Sequence, residues 1–433
     1  MVVENCPFLR DPRVRTEAKA LHAAGHSVSV ICPLDNNRPK RECIDGVTLY
    51  KFRPFNSVSG KLGYLFEYVY ATLAILVLSL VVLAREGFDV VHVANPPDTL
   101  VLTAALYKLI GKRIIYDQHD LSPELYQAKF SPSRQGLFRL LVQLERWSYR
   151  VADHVIVTNN SHKNTAIKRG NVSPSKVTIV RNGPDMISVT ARQQDALLRG
   201  KARIIIVYSG VVGVQDGVDC LCRILFQLCY VLKRKDFCCV VMGDGDALPQ
   251  VKALAHELGL DNHIWFAGWI DNVDVYGRYL NTADICISPE PTNNYNHGST
   301  LVKIMEYMAA GKPIVSFDLL ETRFSAQDAA LYVRGNDERE FAVQLARLMD
   351  DPALRAEMGR YGENRVLTEL AWQYSIPSLL DAYKRCIAPD EDASRAVGKQ
   401  SPADLDERGQ DLRIARTTAN TESVYARSRI SEP

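Results

Sequence analysis

The chain is 433 residues long, more than one ordinary core needs, so at roughly 100 to 200 residues per domain two domains with appendages are expected. Hydrophobic residues make up 47%, charged residues 24% and aromatic residues 8%, which excludes a wholly disordered, collagen-like or polytopic membrane chain. Lysine and arginine number 52 against 50 acids, and a net charge of +2 leaves no electrostatic footprint for nucleic acid.

Ten cysteines show no C-x-x-C pairing, so neither a metal cluster nor a disulfide framework is expected and reduced thiols in a cytosol are the economical reading. The N-terminus lacks the basic start and apolar stretch of a signal peptide, which points to the cytoplasm. Met1 to Asn5 leave few residues for a first strand, which suggests a start placed late.

Asp11-Pro12, then Val14, Ala18 and Leu21, then Gly25, predict a helix with an N-cap, a proline at its first position and a glycine stop. Strand-like Ser27–Cys32 follows. Tyr68 to Ala84 is 17 residues without a charge, just short of the ~20 needed for a helix to span a bilayer. Strand-like Phe88–Val93 comes directly after it. If both strands share a sheet, a spanning helix would put them on opposite sides of the membrane, so a buried or surface-docking helix is favoured.

The alternation continues through Arg113–Asp117, a helix around 135–151, His154–Thr158, a short helix near 161–169 and Val177–Val180. A second series starts at Arg203: strands Ile204–Tyr208, Cys239–Met242, Ile264–Phe266, Ile285–Ile287 and Ile314–Phe317, with helices at about 216–234 and 247–258 and from Ser299 to Ala310. Each strand is a short apolar run, as expected when helices cover both faces of a parallel sheet. Two β/α series separated by polar 186–202 predict two Rossmann-like, doubly wound domains, 1–185 and 203–370, joined by that linker. Further helical patterns run at about 337–349, 352–369 and 372–387. From 388 to 433 the composition turns to mixed charge, serine, threonine and alanine, which predicts a disordered tail.

Ligands of such sheets bind beyond the carboxyl ends of the strands, where loops feed helix starts. Gly210 and Gly213 lead into Asp216 after one strand; they let backbone amides approach an anion or simply turn the chain. Gly298-Ser299-Thr300 opens the predicted helix that carries Lys303 and Glu306 on one face. A cation near a helix start works against the dipole unless an anion lies between them, which favours a diphosphate over a surface ion pair. Glu306 has the geometry to accept from two vicinal hydroxyls, as in a ribose. In the first half, Asn95-Pro96-Pro97-Asp98 and His119-Asp120-Leu121-Ser122-Pro123-Glu124 follow two strands and should face the same crevice. A histidine among Asp98, Asp120 and Glu124 suits phosphate contact or proton transfer, or else a helix cap with a satisfied histidine. Arg10 and Arg13 flank the first strand-to-helix turn, placed for an anionic acceptor or for solvent.

These motifs together resemble the group 1, or family 4, glycosyltransferases of the GT-B fold. The resemblance rests on 298–315 with Arg181–Asp185 and Trp265–Gly268. Within that family it is nearest a bacterial polysaccharide-biosynthesis subgroup sharing counterparts of Pro7–Val14, Asn95–Asp98, His119–Tyr126 and Lys303–Met308. It implies two Rossmann-like domains facing a central cleft, with 371–387 a helix returning toward the first domain. It also implies retaining, metal-independent transfer from a nucleotide-diphosphate-sugar, with no cofactor, to a polysaccharide or lipid-linked acceptor; the apolar run Tyr68 to Ala84, followed by Arg85, adds the expectation of peripheral docking on the inner face of the cytoplasmic membrane, with a core helix as the alternative. Glu306 matches the second glutamate of the family's E-x7-E element, Ser299, Thr300 and Lys303 fall at the diphosphate, and His119 falls near the transferred sugar. Two departures stand out. Gly298 replaces the first glutamate, with Glu290 as a candidate substitute, and Asp216 replaces a lysine common in the family. They keep two other readings open: a nucleotide-sugar epimerase of the same fold, and a non-catalytic glycosyltransferase-like partner subunit.

Overall fold

The computed structural model describes residues 1–35, 38–55, 61–130, 135–184 and 193–388. Asp185, the expected linker up to residue 192 and the tail from 389 onward lie outside the described residues.

The first half runs α1 (Pro12–Ala23), β1 (Ser29–Pro33), β2 (Arg41–Ile44), β3 (Val47–Phe52), α2 (Lys61–Arg85), β4 (Val90–Ala94), α3 (Leu100–Lys108), β5 (Arg113–Gln118), α4 (Ser122–Phe130), α5 (Gln135–Val151), β6 (His154–Val157), α6 (Asn160–Lys168) and β7 (Val177–Ile179). α1 begins as the sequence predicts: Asp11 Oδ1 accepts the Val14 N–H at 3.0 Å and Pro12 fills the first helical position. Val2 makes parallel bridges to both Ile31 and Val93. A single residue thus joins two ladders into one sheet of order β2-β3-β1-Val2-β4-β5-β6-β7. All pairs are parallel except β2 with β3.

That hairpin is absent from the sequence reading, although Asp45-Gly46 signals it. Both residues have positive φ, 52° and 79°, as a tight two-residue hairpin turn requires. Strands on either side of α2 share the sheet, and among the described residues no helix is long and apolar enough to cross a membrane. α2 buries Ala71, Ile75 and Val82 against the sheet and exposes Val69, Leu73, Val77 and Leu80.

The second half runs α7 (Ala196–Arg199), β8 (Ile204–Ser209), α8 (Val218–Phe226), β9 (Phe237–Met242), α9 (Leu248–Glu257), β10 (Ile264–Gly268), α10 (Val273–Thr282), β11 (Ile285–Ser288), α11 (Asn294–Gly298), α12 (Val302–Ala309), β12 (Ile314–Phe317), α13 (Leu320–Ala326), β13 (Ala330–Val333), α14 (Glu338–Asp350), α15 (Pro352–Arg365) and α16 (Ile376–Ile387). Its sheet is fully parallel in the order β10-β9-β8-β11-β12-β13, so the winding reverses between β8 and β11. Fully buried strands such as Ile204–Ser209 carry separate apolar clusters on the two faces, which explains why they read as continuous apolar runs. α16 places Leu379, Ala382 and Tyr383 in the same core cluster as Val14, Ala18 and Leu21 of α1, back on the first half.

The helix expected from Ser299 to Ala310 starts three residues later, and a separate short helix precedes it. Asn293 accepts the Asn296 N–H and starts α11, and the Ser299 hydroxyl turns back to donate to the Tyr295 carbonyl at 2.9 Å. Helix α12 then begins only at Val302, with no side-chain cap.

Candidate active site

The loops after β5, β8, β10 and β11 leave the carboxyl ends of their strands toward one another, and an open cavity of about 590 Å³ lies between them. Its walls bring together Arg10, Arg13, His119 and Asp120 of the first half and Gly210, Ser299, Thr300, Lys303 and Glu306 of the second.

On the first wall, His119 Nε2 lies 2.6 Å from Asp117 Oδ2, and its backbone N–H donates to Asn95 Oδ1 at 2.6 Å. Asn95 Nδ2 donates to Asp98 and to the Asp120 carbonyl, while Tyr116 donates to Asp98 at 2.5 Å. Asp98 is therefore buried scaffold that holds the histidine loop, and burial raises its pKa; it does not line the cavity. Glu124 is likewise turned away, pairing with Arg169 between α4 and α6. In both cases a donor from a neighbouring element, Tyr116 for Asp98 and Arg169 for Glu124, satisfies the carboxylate and keeps it from the cavity.

Arg13 is not open to solvent. Its guanidinium grips Asp117 through Nε at 3.0 Å and Nη2 at 2.6 Å, and Glu17 lies 3.1 Å from Nη2. Burial would lift Asp117, but Arg13, then His119 and His92, hold it well below the ordinary range; Glu17 is pushed well above its own by burial. Ligand atoms of Glu17, His92 and Asp117 come within 4.8 Å of one another, a spacing a metal ion can use, but the Arg13 guanidinium already supplies the cation there.

On the second wall, Lys303 Nζ donates to Glu290 at 2.6 Å and to the Tyr208 hydroxyl at 3.1 Å. Burial alone would depress the ammonium; Glu290, then Tyr208 and Asp216, hold it above the usual lysine range. Gly210 makes room for it. A Cβ there would come within 2.7 Å of Nζ, and φ of +142° favours glycine in any case. Glu290 is 1% exposed and does not line the cavity, so its carboxylate anchors Lys303 rather than reaching into the position vacated at Gly298.

Gly213 and Asp216 also lie behind the wall, where Asp216 Oδ2 accepts the Gly213 N–H at 2.9 Å; burial pushes the Asp216 pKa up to about 6. Gly298 sits against Leu121 and His162 of the first half, outside the cavity lining, and its carbonyl accepts from Asn159 at 2.7 Å. Glu306 accepts from the Tyr276 hydroxyl at 2.6 Å, and burial raises its pKa despite Tyr276 and Lys303.

Sequence reasoning missed part of the lining. Tyr276, Trp269 and Ile270 form an apolar side next to Glu306, and Tyr295 crosses the cleft to donate to Asp120 at 3.0 Å. The run Trp265–Gly268 closes β10, and Trp269 and Ile270 follow it directly, so the signal stopped two residues short.

With this geometry in place, the family can be stated. Residues 13–186 match Glycosyltransferase Family 4 and residues 203–351 match Glycosyl transferases group 1, together well over half of the chain. The chain belongs to this glycosyltransferase family, of GT-B fold. It is similar to an uncharacterized glycosyltransferase of Methanocaldococcus jannaschii, 21% identical over 377 residues that cover 85% of this chain and 92% of the other. It is also similar to a lipopolysaccharide core biosynthesis glycosyltransferase of Rhizobium meliloti, 29% identical over 34% of this chain and 41% of that one. In solved structures the same fold occurs in Anabaena HepE in complex with UDP-glucose, at a TM-score of 0.64 and 15% identity, covering 88% of this chain and 98% of that one.

Proposed function

We propose that this glycosyltransferase moves a sugar, with retention and without a metal, from a nucleotide-diphosphate-sugar to a polysaccharide or lipid-linked acceptor. The observation that carries this reading is the meeting of Lys303 and Glu306 with His119 on opposite walls of one cavity. Glu306 beside Tyr276 suits the vicinal hydroxyls of a ribose, and the apolar side at Trp269 and Ile270 suits a base. Lys303 and the uncapped N–H groups at the start of α12 would meet the departing diphosphate, supplying the positive potential for which other enzymes recruit a divalent ion. His119, steadied by Asp117, would face the sugar being transferred. The UDP-glucose held by a GT-B neighbour and the lipopolysaccharide role named for a relative agree with this substrate class. Family membership favours transfer over the epimerase and partner-subunit readings.

Donor-dependent transfer or hydrolysis by Glu306→Ala and Lys303→Ala proteins tests the site. Loss of activity in both is expected; full activity in both, with intact fold, would overturn the assignment. Calorimetric titration with UDP-sugars addresses the partner-subunit reading, because a degenerate subunit should bind none.

The outer face of α2 supports a place at a membrane. Val69, Leu73, Val77 and Leu80 form an exposed apolar stripe, and in the same helical layer α5 exposes Leu140 and Trp147 beside Arg139 and Arg150. Apolar residues interleaved with arginine match an anionic bilayer surface, where a lipid-linked acceptor would be found. Sedimentation with vesicles containing phosphatidylglycerol should drop on Leu73→Asp/Val77→Asp substitution; equal sedimentation of both proteins would refute the docking.

A further inference from the structure

The sequence leaves Arg13 to an anionic acceptor or to solvent, yet its side chain is only 5% exposed and the donors of its guanidinium are already committed. One edge, Nε and Nη2, takes both oxygens of Asp117, whose Oδ2 holds His119 Nε2. Nη1 faces elsewhere: it donates to the Val180 carbonyl at 2.9 Å and to Asn182 Oδ1 at 2.5 Å. Val180 and Asn182 stand where the chain leaves the first sheet. A Cβ on neighbouring Gly183 would lie 2.5 Å from both the Leu370 carbonyl and the Trp372 nitrogen, and the Ser375 hydroxyl donates to the Arg181 carbonyl at 2.9 Å. The outgoing and returning passages of the chain between the two halves therefore touch each other at this point.

We propose that Arg13 is a positioning residue that couples this crossing to the imidazole of His119, rather than a ligand of the acceptor. The Val180 carbonyl stays with the first sheet, where the Val180 N–H bonds the Val157 carbonyl, whereas a rotation of the second half about the crossing displaces Asn182, which pulls on one side of a rigid planar fork. The other side of the fork carries Asp117, and Asp117 carries His119. A second strut reaches the same carboxylate from the returning helix: the Tyr383 hydroxyl lies 2.8 Å from His92 Nδ1, and His92 Nε2 lies 3.3 Å from Asp117 Oδ2. Lysine cannot replace Arg13 here, because a single ammonium cannot hold a carboxylate edge-on and a carbonyl on the opposite side at once. Only the kinetic consequence rests on the reading of His119 as facing the transferred sugar.

The test uses the full chain with selectively labelled histidines, comparing the wild type with Arg13→Lys and the milder Asn182→Ala. The His119 imidazole resonances, assigned through His119→Gln, should move in both variants, while those of His256 and His263 in the second half stay fixed. Unmoved His119 resonances in folded Asn182→Ala protein would overturn the coupling, whether or not the enzyme transfers any sugar. Kinetically, Asn182→Ala should lower kcat about three- to ten-fold with donor KM unchanged, and by less than about two-fold in a His119→Gln background. An equal loss in both backgrounds, or a raised acceptor KM with kcat intact, would also refute it. Absence of transfer by the wild type would instead refute the proposed function and leave the resonance test decisive.

Discussion

The two walls of the cavity are built by different means. On the first wall, the His119 imidazole is held from behind by a buried ionic assembly gathered from α1, β4, β5 and the segment after β7: Arg13, Glu17, His92, Asp117 and Asn182. On the second wall, Ser299, Thr300, Lys303 and Glu306 come from one continuous stretch, and position follows from local chain geometry plus a short anchor from Glu290. The first wall therefore depends on fold stability, and the second on local electrostatics. Mutations should separate the two.

The largest effect is expected where the first wall is opened. Asp117→Ala leaves the Arg13 guanidinium buried without its carboxylate and should cost about 3–5 kcal/mol of stability, read by denaturant unfolding. A loss below about 1 kcal/mol would mean that the assembly merely accompanies the fold. The second wall should respond in rate instead. Replacing the ion pair by a neutral hydrogen-bonded pair, Lys303→Gln/Glu290→Gln, avoids stranding a buried charge. It should leave the fold intact while lowering kcat by about 10²- to 10³-fold, or about 2.7–4 kcal/mol of transition-state stabilisation. Comparable unfolding losses in both variants would erase the distinction between the walls.

The same contrast governs what could be read from the sequence. Strand runs, the capped start of α1 and the order of two β/α series are local signals; they bring Gly210, Ser299, Thr300, Lys303 and Glu306 to the second wall, while Gly213, Asp216, Glu290 and Gly298 fall behind it. The sequence starts helix α12 three residues too early because Ser299 and Thr300 look like caps, whereas the Ser299 hydroxyl donates to Tyr295 and that of Thr300 accepts from Asn159. On the first wall, Asp98 and Glu124 look like site carboxylates, since nothing local reveals that Tyr116 and Arg169 will satisfy them. Arg13 meets Asp117 across 104 positions and Asn182 across 169. Pairings of that separation are decided by sheet order, and sheet order here depends on Val2, a one-residue bridge that carries no strand-like pattern of its own.

A smaller effect should come from Glu306→Gln. The amide keeps an oxygen for Tyr276 but loses the charge, so nucleotide affinity should fall about 10- to 100-fold in calorimetry, the range for a hydrogen bond to a charged acceptor. An unchanged affinity would move the ribose elsewhere on the second wall.

The finest test of a locally built wall is its response to pH through Asp216. The pKa of this group is pushed up to about 6 by burial, with Lys303 pulling down and Glu290 pushing up. Its unfolded value is about 3.9, so the folded state favours the protonated form; stability is highest below about 4 and falls as pH rises through 6. Ionisation also adds a negative charge behind Lys303, where the donor diphosphate is expected. A UDP-sugar has no phosphate group titrating in this range, so a change in its affinity between pH 5 and 7.5 reports on the protein. Affinity should weaken a few-fold on that rise, and Asp216→Asn should flatten the profile while keeping an acceptor for the Gly213 N–H. If the wild-type profile is already flat, Lys303 is shielded from Asp216, and the wall's electrostatics reduce to the single pair of Lys303 with Glu290.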